Sequence, residues 1–249
     1  MNELSLFAGL WKGGFYEGDP LDPIGFSQYY GLGFVSVLWV VYQVCIKPYV
    51  KSDTIALEIG SGRGAWTRTL LPAKEVWCLD ALSAEHNGFW SYLGKAPNVR
   101  YFQVSDFECR ELPDDYFSYF FSFGTFCHIT WEGQQSYYRN LFRKLRPGAD
   151  CFVMFADFDK HNLMRTRWYR RQVIPLIPFK LITHLKWALR HLRPYPYLDK
   201  NDATLVPGKF YHVSPSALAH YLRSIGYDVV SEDVGIIPRD PIVHFKKPG

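Results

Sequence analysis

The sequence predicts an α/β chain: a seven-stranded, mostly parallel sheet with helices on both faces, the last strand antiparallel, and a helical insertion. Three observations predict it. Short, nearly continuous apolar runs alternate with helix-like segments from residue 54 to 158, as in parallel strands covered on both faces. Three glycines, in "GSGRG" (60–64), separate the first apolar run from the helix that follows it. The final two apolar runs are joined closely, which suits an antiparallel finish. A chain of 249 residues buries about three quarters of its unfolded surface and can fill one core without staples.

In order, "TIALEIG" (54–60) is a strand and "AWTRTLLP" (65–72) a helix closed by Pro72. "EVWCLDA" (75–81) is the second strand and "AEHNGFWSYLGK" (84–95) a helix ended near Pro97-Asn98. "VRYFQVSD" (99–106) and "FSYFFSFGTF" (117–126) are the third and fourth strands. The segment 132–148 places Tyr137, Leu141, Phe142 and Leu145 on one helical face and stops at Pro147-Gly148. "ADCFVMFADF" (149–158) is the fifth strand. "SPSALAHYLRSIGY" (214–227) is a helix capped by Ser214 and ended by Gly226. "DVVSEDVGII" and "PIVHFKKP" complete the sheet. The expected organisation is an N-terminal cap (1–52), a ligand-binding core (53–158), a basic helical insertion (159–212) and a closing helix with two strands (213–249).

Composition narrows the classes. Charged residues at 21% and aromatics at 18% describe a globular chain, not a disordered one. The five cysteines form no C-x-x-C pair, which speaks against a disulfide framework or a zinc site and for a reduced, cytoplasmic setting. The start, "MNELSLFAGLWKGG", has no basic region, so no signal peptide is expected. Residues 31–46 are uncharged, but a membrane span needs about 20 mainly apolar residues. This run is shorter and includes Ser36, Tyr42 and Gln43, so a buried helix is expected, with a span or re-entrant anchor as the alternative. Nine Lys/Arg and no acid lie between Lys160 and Arg193, leaving 19 basic against 24 acidic residues elsewhere. That segment suits a lid over an anionic acceptor, a peripheral membrane contact or a homodimer contact. With the remainder acidic and no aromatic stacking platform, nucleic acid is not expected as a partner.

The glycine loop admits two readings. Gly60-x-Gly62-x-x-Ala65 matches a dinucleotide fingerprint, with Asp80 at the end of strand two placed for a ribose. The same residues preceded by Glu58 match E/D-x-G-x-G-x-G. Three features favour the second pattern. Glu58 inside the strand end would repel a pyrophosphate but suits a cationic ligand. Strand three ends in "VSDFE", and "LFRKLRPGADCFVMF" is similar to an L-x-P-G-G-x-F segment, with Ala149 in place of the second glycine. In this order the motifs resemble those of class I S-adenosylmethionine-dependent methyltransferases, over residues 53 to about 158 and from 214 on. The resemblance implies a Rossmann-like fold and S-adenosylmethionine as cofactor. It implies that Glu58, Gly60, Ser61, Gly62, Gly64, Asp80, Ala81, Asp106 and Phe107 hold the cofactor, with Asp106 at the adenine amino group.

Candidate chemistry lies beyond strand four. His128 is the expected base, since an imidazole accepts a proton near neutral pH; packing in the loop is its bland alternative. Tyr16, Tyr29 and Tyr30 lie in the Gly-, Pro- and aromatic-rich segment 11–33, expected to cover the pocket, with Tyr16 at the cofactor and Tyr30 at the acceptor. Asp157 and Tyr211 are further acceptor candidates. Asp157, Asp159 and His161 could hold a divalent ion, but this local spacing more simply caps a helix, so no metal is expected. The expected function is O-methylation of a sugar, glycan or other small polar acceptor. The alternatives are N-methylation of a small amine and a non-catalytic S-adenosylmethionine-binding partner protein.

Overall fold

The computed structural model describes residues 3–15, 17–25, 35–163, 198–200 and 209–249. Seven strands form one sheet: β1 (Ile55–Ile59), β2 (Glu75–Asp80), β3 (Val99–Gln103), β4 (Phe117–Ser122), β5 (Leu145–Met154), β6 (Asp228–Ser231) and β7 (Ile242–Lys246). Their order is β3-β2-β1-β4-β5-β7-β6. The pairs from β3 to β5 are parallel, whereas β7 runs antiparallel to both β5 and β6. This is the expected sheet, with its antiparallel strand last in sequence.

Helices cover both faces. Those with both ends among the described residues are, in chain order, α1 (Glu3–Leu10), α2 (Val37–Val41), α3 (Thr67–Leu70), α4 (Phe89–Leu93), α5 (Trp131–Lys144) and α6 (Pro215–Ser224). One core layer packs Ile55, Leu57 and Ile59 of β1 against Tyr138 and Leu141 of α5 and Leu218 of α6. The opposite layer packs Ala56 with Leu38 and Val41 of α2, Leu70 of α3 and Phe89 of α4. The alternation along β1 therefore sends Glu58 to the second face, beneath α3.

Several boundaries differ from the sequence expectation. The helices after β1 and β2 are short, with turns filling the remainder. Helix α5 ends at Lys144, before Pro147-Gly148, and β5 begins at once, with Leu145 paired to Phe117. Proline disfavours the helical conformation in the residue before it, so the chain is extended by Arg146. The cap of α6 is as expected, with Ser214 Oγ accepting from the Ala217 N–H at 3.2 Å.

The apolar run ending at Ile46 is a buried helix, α2, that continues as one wide turn over Tyr42–Ile46. Val37, Leu38, Val41, Cys45 and Ile46 are fully buried. Among the described residues no helix is long and apolar enough to cross a membrane. A helix begins at residue 158, but the expected insertion, including Trp168 and most of the basic residues, lies outside the described residues.

Candidate active site

Strand order reverses between β1 and β4, and ligands of open α/β sheets bind outside the carboxyl ends of strands at such a point. A cavity of about 330 Å³ lies there, lined by the loops that follow β1, β2 and β4 and by the N-terminal segment.

The glycine loop forms its floor. Gly60 has φ +78°, and its N–H donates to the Leu79 carbonyl at 2.7 Å, tying the loop to β2. A Cβ on Gly60 would lie 1.7 Å from Thr125 Oγ1, so nothing larger fits against the loop after β4. Gly62 has φ +49°, and a Cβ there would meet no atom within 4 Å, so the missing side chain leaves open space beside the backbone. Asp80 closes the arrangement: Oδ2 accepts from the Gly62 N–H at 2.8 Å and Oδ1 from the Leu82 N–H at 2.9 Å. Burial pushes the Asp80 carboxyl up, and these N–H groups oppose the shift. A carboxylate has lone pairs to spare for a ribose diol while both oxygens remain anchored.

Ser61, Ala81 and Asp80 line the cavity with Gly60 and Gly62. Glu58 and Gly64 are not among the lining residues. Glu58 is 2% exposed under α3, where Oε2 accepts from Thr67 Oγ1 at 2.6 Å, and burial pushes its carboxyl up to about 7. Its place is beneath the loop, supporting it. The structure does not bring Asp106 to the cavity. Its carboxylate accepts from the Glu108 N–H at 2.9 Å and faces Arg110 at 3.6 Å. Phe107 is also outside the lining, packed edge-on against Tyr137, which does line it.

At the far end, His128 lies in a short 3₁₀ turn, Phe126–His128, after β4. Its Nδ1 is 3.1 Å from the Lys209 carbonyl oxygen. A carbonyl only accepts, so Nδ1 carries a proton, and in the neutral form of the ring the basic nitrogen is Nε2. The ring sits between Trp11, at 6.0 Å, and Phe210, at 4.6 Å, and lines the cavity.

The N-terminal segment roofs the site and is pinned at three places. Glu3 accepts from the Thr130 N–H at 2.6 Å and from Thr130 Oγ1 at 2.7 Å. The Gly14 N–H donates to Asn87 Oδ1 at 3.3 Å, and Asp19 pairs with Arg68 at 2.9 Å. Tyr16 and Tyr30 lie outside the described residues. The roof is instead described by Phe7, Trp11, Phe15 and Glu17, which line the cavity. The aromatic density of residues 11–33 signalled a roof, though not which rings form it.

Asp157 and Tyr211 do not line the cavity. Tyr211 donates its N–H to the Cys127 carbonyl at 2.9 Å. Asp157 groups with Asp159 and His212, their ligand-type atoms all within 4.8 Å of one another, and His161 is not part of the group. These residues already serve one another. Asp157 accepts from the Asp159 N–H, His212 Nδ1 accepts from the Phe158 N–H, and Asp159 pairs with Lys200. Burial lowers the His212 pKa, so the ring is neutral and serves as an acceptor where the helix begins. Phe210 and Arg239, which line the cavity, escaped the sequence reading because no motif surrounds either.

A family model described as a methyltransferase domain matches residues 56–148. No curated protein matches the chain significantly. Solved structures of similar fold include a SAM-dependent methyltransferase from Aquifex aeolicus, at 16% identity and TM-score 0.53, covering 83% of this chain and 89% of that one. An S-adenosylmethionine-dependent methyltransferase from Mesorhizobium loti is similar at 15% identity and TM-score 0.56, covering 85% of this chain and 98% of its own. A third is the N-methyltransferase NodS from Bradyrhizobium japonicum WM9 in complex with S-adenosyl-L-homocysteine, at 12% identity and TM-score 0.51, covering 80% of each chain. Residues 56–148 thus match a methyltransferase-domain family, and the chain has the Rossmann-like fold seen in these S-adenosylmethionine-dependent methyltransferase structures.

Proposed function

We propose that the protein transfers a methyl group from S-adenosylmethionine to a hydroxyl of a sugar, glycan or other small polar acceptor, with His128 as the base. The observation that carries the reading is that His128, which lines the cavity, has its Nδ1 held by the Lys209 carbonyl. The donor set fits the cofactor: a glycine loop open at Gly62, an anchored carboxylate at Asp80 for a ribose, and an aromatic roof. The bound cofactor supplies an electrophilic methyl on a sulfonium, a group ready for in-line displacement.

This chain's residues then have three tasks. The glycine loop and Asp80 hold the nucleoside end in register. Phe7, Trp11 and Phe15 exclude water from the reacting end. His128, held in one tautomer by the Lys209 carbonyl, takes the hydroxyl proton on Nε2 as the oxygen attacks.

The test is His128→Gln, read by S-adenosylhomocysteine calorimetry and by transfer of labelled methyl into fractions of the source cell extract. Affinity within twofold of wild type and turnover lower by ~10²–10⁴ are expected, the range a general base contributes. Unchanged turnover removes His128 as base. Label in amines rather than hydroxyl compounds favours N-methylation, a second reading supported by the Glu17 carboxylate lining the cavity and by NodS among the similar folds. Tight binding of S-adenosylhomocysteine with no transfer into any fraction leaves the cofactor-binding partner protein.

A further inference from the structure

The pair Gly13-Gly14 stands between two rings that line the cavity, Trp11 and Phe15. Both glycines have left-handed backbone, φ +70° and +63°. A Cβ on Gly13 would collide with the His86 ring and lie 2.7 Å from the His86 carbonyl oxygen, so the roof rests directly on the loop between β2 and α4. One residue on, the Gly14 N–H donates to Asn87 Oδ1 at 3.3 Å, a long bond. The roof therefore meets the Asp80 side of the cavity at Asn87, which is buried and itself lines the cavity.

Asn87 belongs to a circuit of polar groups. Its Nδ2 donates to the Tyr101 hydroxyl at 2.9 Å, and that hydroxyl donates its one proton to the Leu82 carbonyl at 2.8 Å. This order fixes the amide, because Tyr101 can only accept from Asn87, which leaves Oδ1 for Gly14. The Leu82 N–H donates in turn to Asp80 Oδ1, and the Asn87 amide is among the donors that hold the Asp80 carboxyl down against burial. An amide polarises as a unit: donation from its nitrogen towards an anion makes its oxygen a better acceptor. The carboxylate placed for the ribose and the backbone of the roof thus act on opposite ends of one side chain.

We infer that Asn87 is a positioning residue that couples the Asp80 site to the roof, so that cofactor binding and the docking of Gly13-Gly14 favour each other. The inference rests on the cofactor reading and adds to it that the segment carrying Trp11 and Phe15 settles over the cavity as the nucleoside end is held. Coupling of this kind is reciprocal: whatever the cofactor does for the roof, the roof does for the cofactor.

The experiment digests the full chain briefly with trypsin, with and without saturating S-adenosylhomocysteine, and follows the peptide 1–12 by mass spectrometry after quenching. Lys12 is the first basic residue of the chain and immediately precedes Gly13, so cleavage there reads undocking. Calorimetry with S-adenosylhomocysteine runs in parallel. The ligand should slow appearance of the peptide from wild type by at least ~5-fold, the low end of ordinary couplings. In Asn87→Ala, saturated with ligand, the slowing should fall below about twofold. Gly13→Ala, which leaves Asn87 and Asp80 in place, should be cut fast with or without ligand and bind it ~5-fold more weakly. Adding Gly13→Ala to Asn87→Ala should cost no further affinity, whereas a merely structural Asn87 would give additive losses. A wild type that binds the ligand without protection, an Asn87→Ala protected as wild type is, or additive losses overturns the inference and leaves the methyl-transfer reading standing. If Asn87→Ala does not fold, Gly13→Ala decides alone, and wild-type affinity there overturns the inference. If S-adenosylhomocysteine does not bind wild type at all, the methyl-transfer reading fails first and takes this inference with it.

Discussion

Around Asp80 the cavity is made of backbone, and around His128 it is made of side chains gathered from distant parts of the chain. The Asp80 carboxylate is fixed by N–H groups 18 residues before it and 2 after it. His128 is fixed by a carbonyl 81 residues away, a ring from the N-terminal segment and a ring from residue 210. A backbone cradle constrains which residue types can stand in it, because a Cβ either fits or collides. A cradle of side chains constrains only shape and polarity, which many residues satisfy. The first kind therefore serves the part of the reaction common to a fold, and the second serves the part that differs between acceptors.

Breaking the backbone end should cost most. Gly60→Ala adds a Cβ 1.7 Å from Thr125 Oγ1 and 2.5 Å from Thr125 Cβ, at a φ of +78°. The left-handed conformation alone costs ~1–2 kcal/mol, and the collision adds to it. The variant should lose several kcal/mol of stability and its measurable affinity for S-adenosylhomocysteine, read by thermal melting and calorimetry. A melting temperature within about 2 °C of wild type would show that the loop after β4 yields and that this end is less rigid than the contacts imply.

Glu58 sharpens the comparison through pH. Its folded-state pKa of about 7 lies above the ordinary 4.5, so the folded protein holds this proton more tightly than the unfolded chain. Stability from this group is full below about pH 4.5 and declines as pH rises towards 7. The span corresponds to about 3 kcal/mol. Glu58→Gln, which keeps an acceptor for Thr67 Oγ1, should flatten the melting temperature between pH 5 and 8 and raise it most at pH 8. Parallel wild-type and variant profiles would place the titration elsewhere, on Asp80 or Asp240, whose carboxyls burial also pushes up.

The same contrast explains what was legible beforehand. The sheet followed from apolar runs of strand length, and the glycine loop with Asp80 followed from local spacing. Glu58 was visible as a residue but not as a support, because strand alternation decides the face and the placement of α3 decides what covers it. Asp106 was legible as an acid after β3, yet its side chain is engaged by the turn that follows it and by Arg110. Phe210 and Arg239 have no local signature. They reach the cavity because the chain returns to the sheet there, a consequence of tertiary packing that spacing does not encode. The end of α5 differs from the expectation because the proline immediately after Arg146 governs the backbone there.

Glu3 joins the two ends and should give the smallest effect. It accepts two hydrogen bonds from Thr130, the residue that caps α5 by accepting from the Gly133 N–H at 3.2 Å. The contact holds α1 over the cavity without belonging to the core, and Leu4, the residue after Glu3, is the buried anchor of that helix. Glu3→Ala removes the contact while Leu4, the Gly14–Asn87 bond and the Asp19–Arg68 pair remain. A loss of ~1–2 kcal/mol is expected for hydrogen bonds to a carboxylate of this kind. If α1 roofs both ends equally, the variant should release S-adenosylhomocysteine several-fold faster in stopped-flow displacement, with a melting temperature only a few degrees lower. An unchanged release rate would mean that α1 covers the acceptor end alone, and that the backbone cradle holds its ligand without a roof.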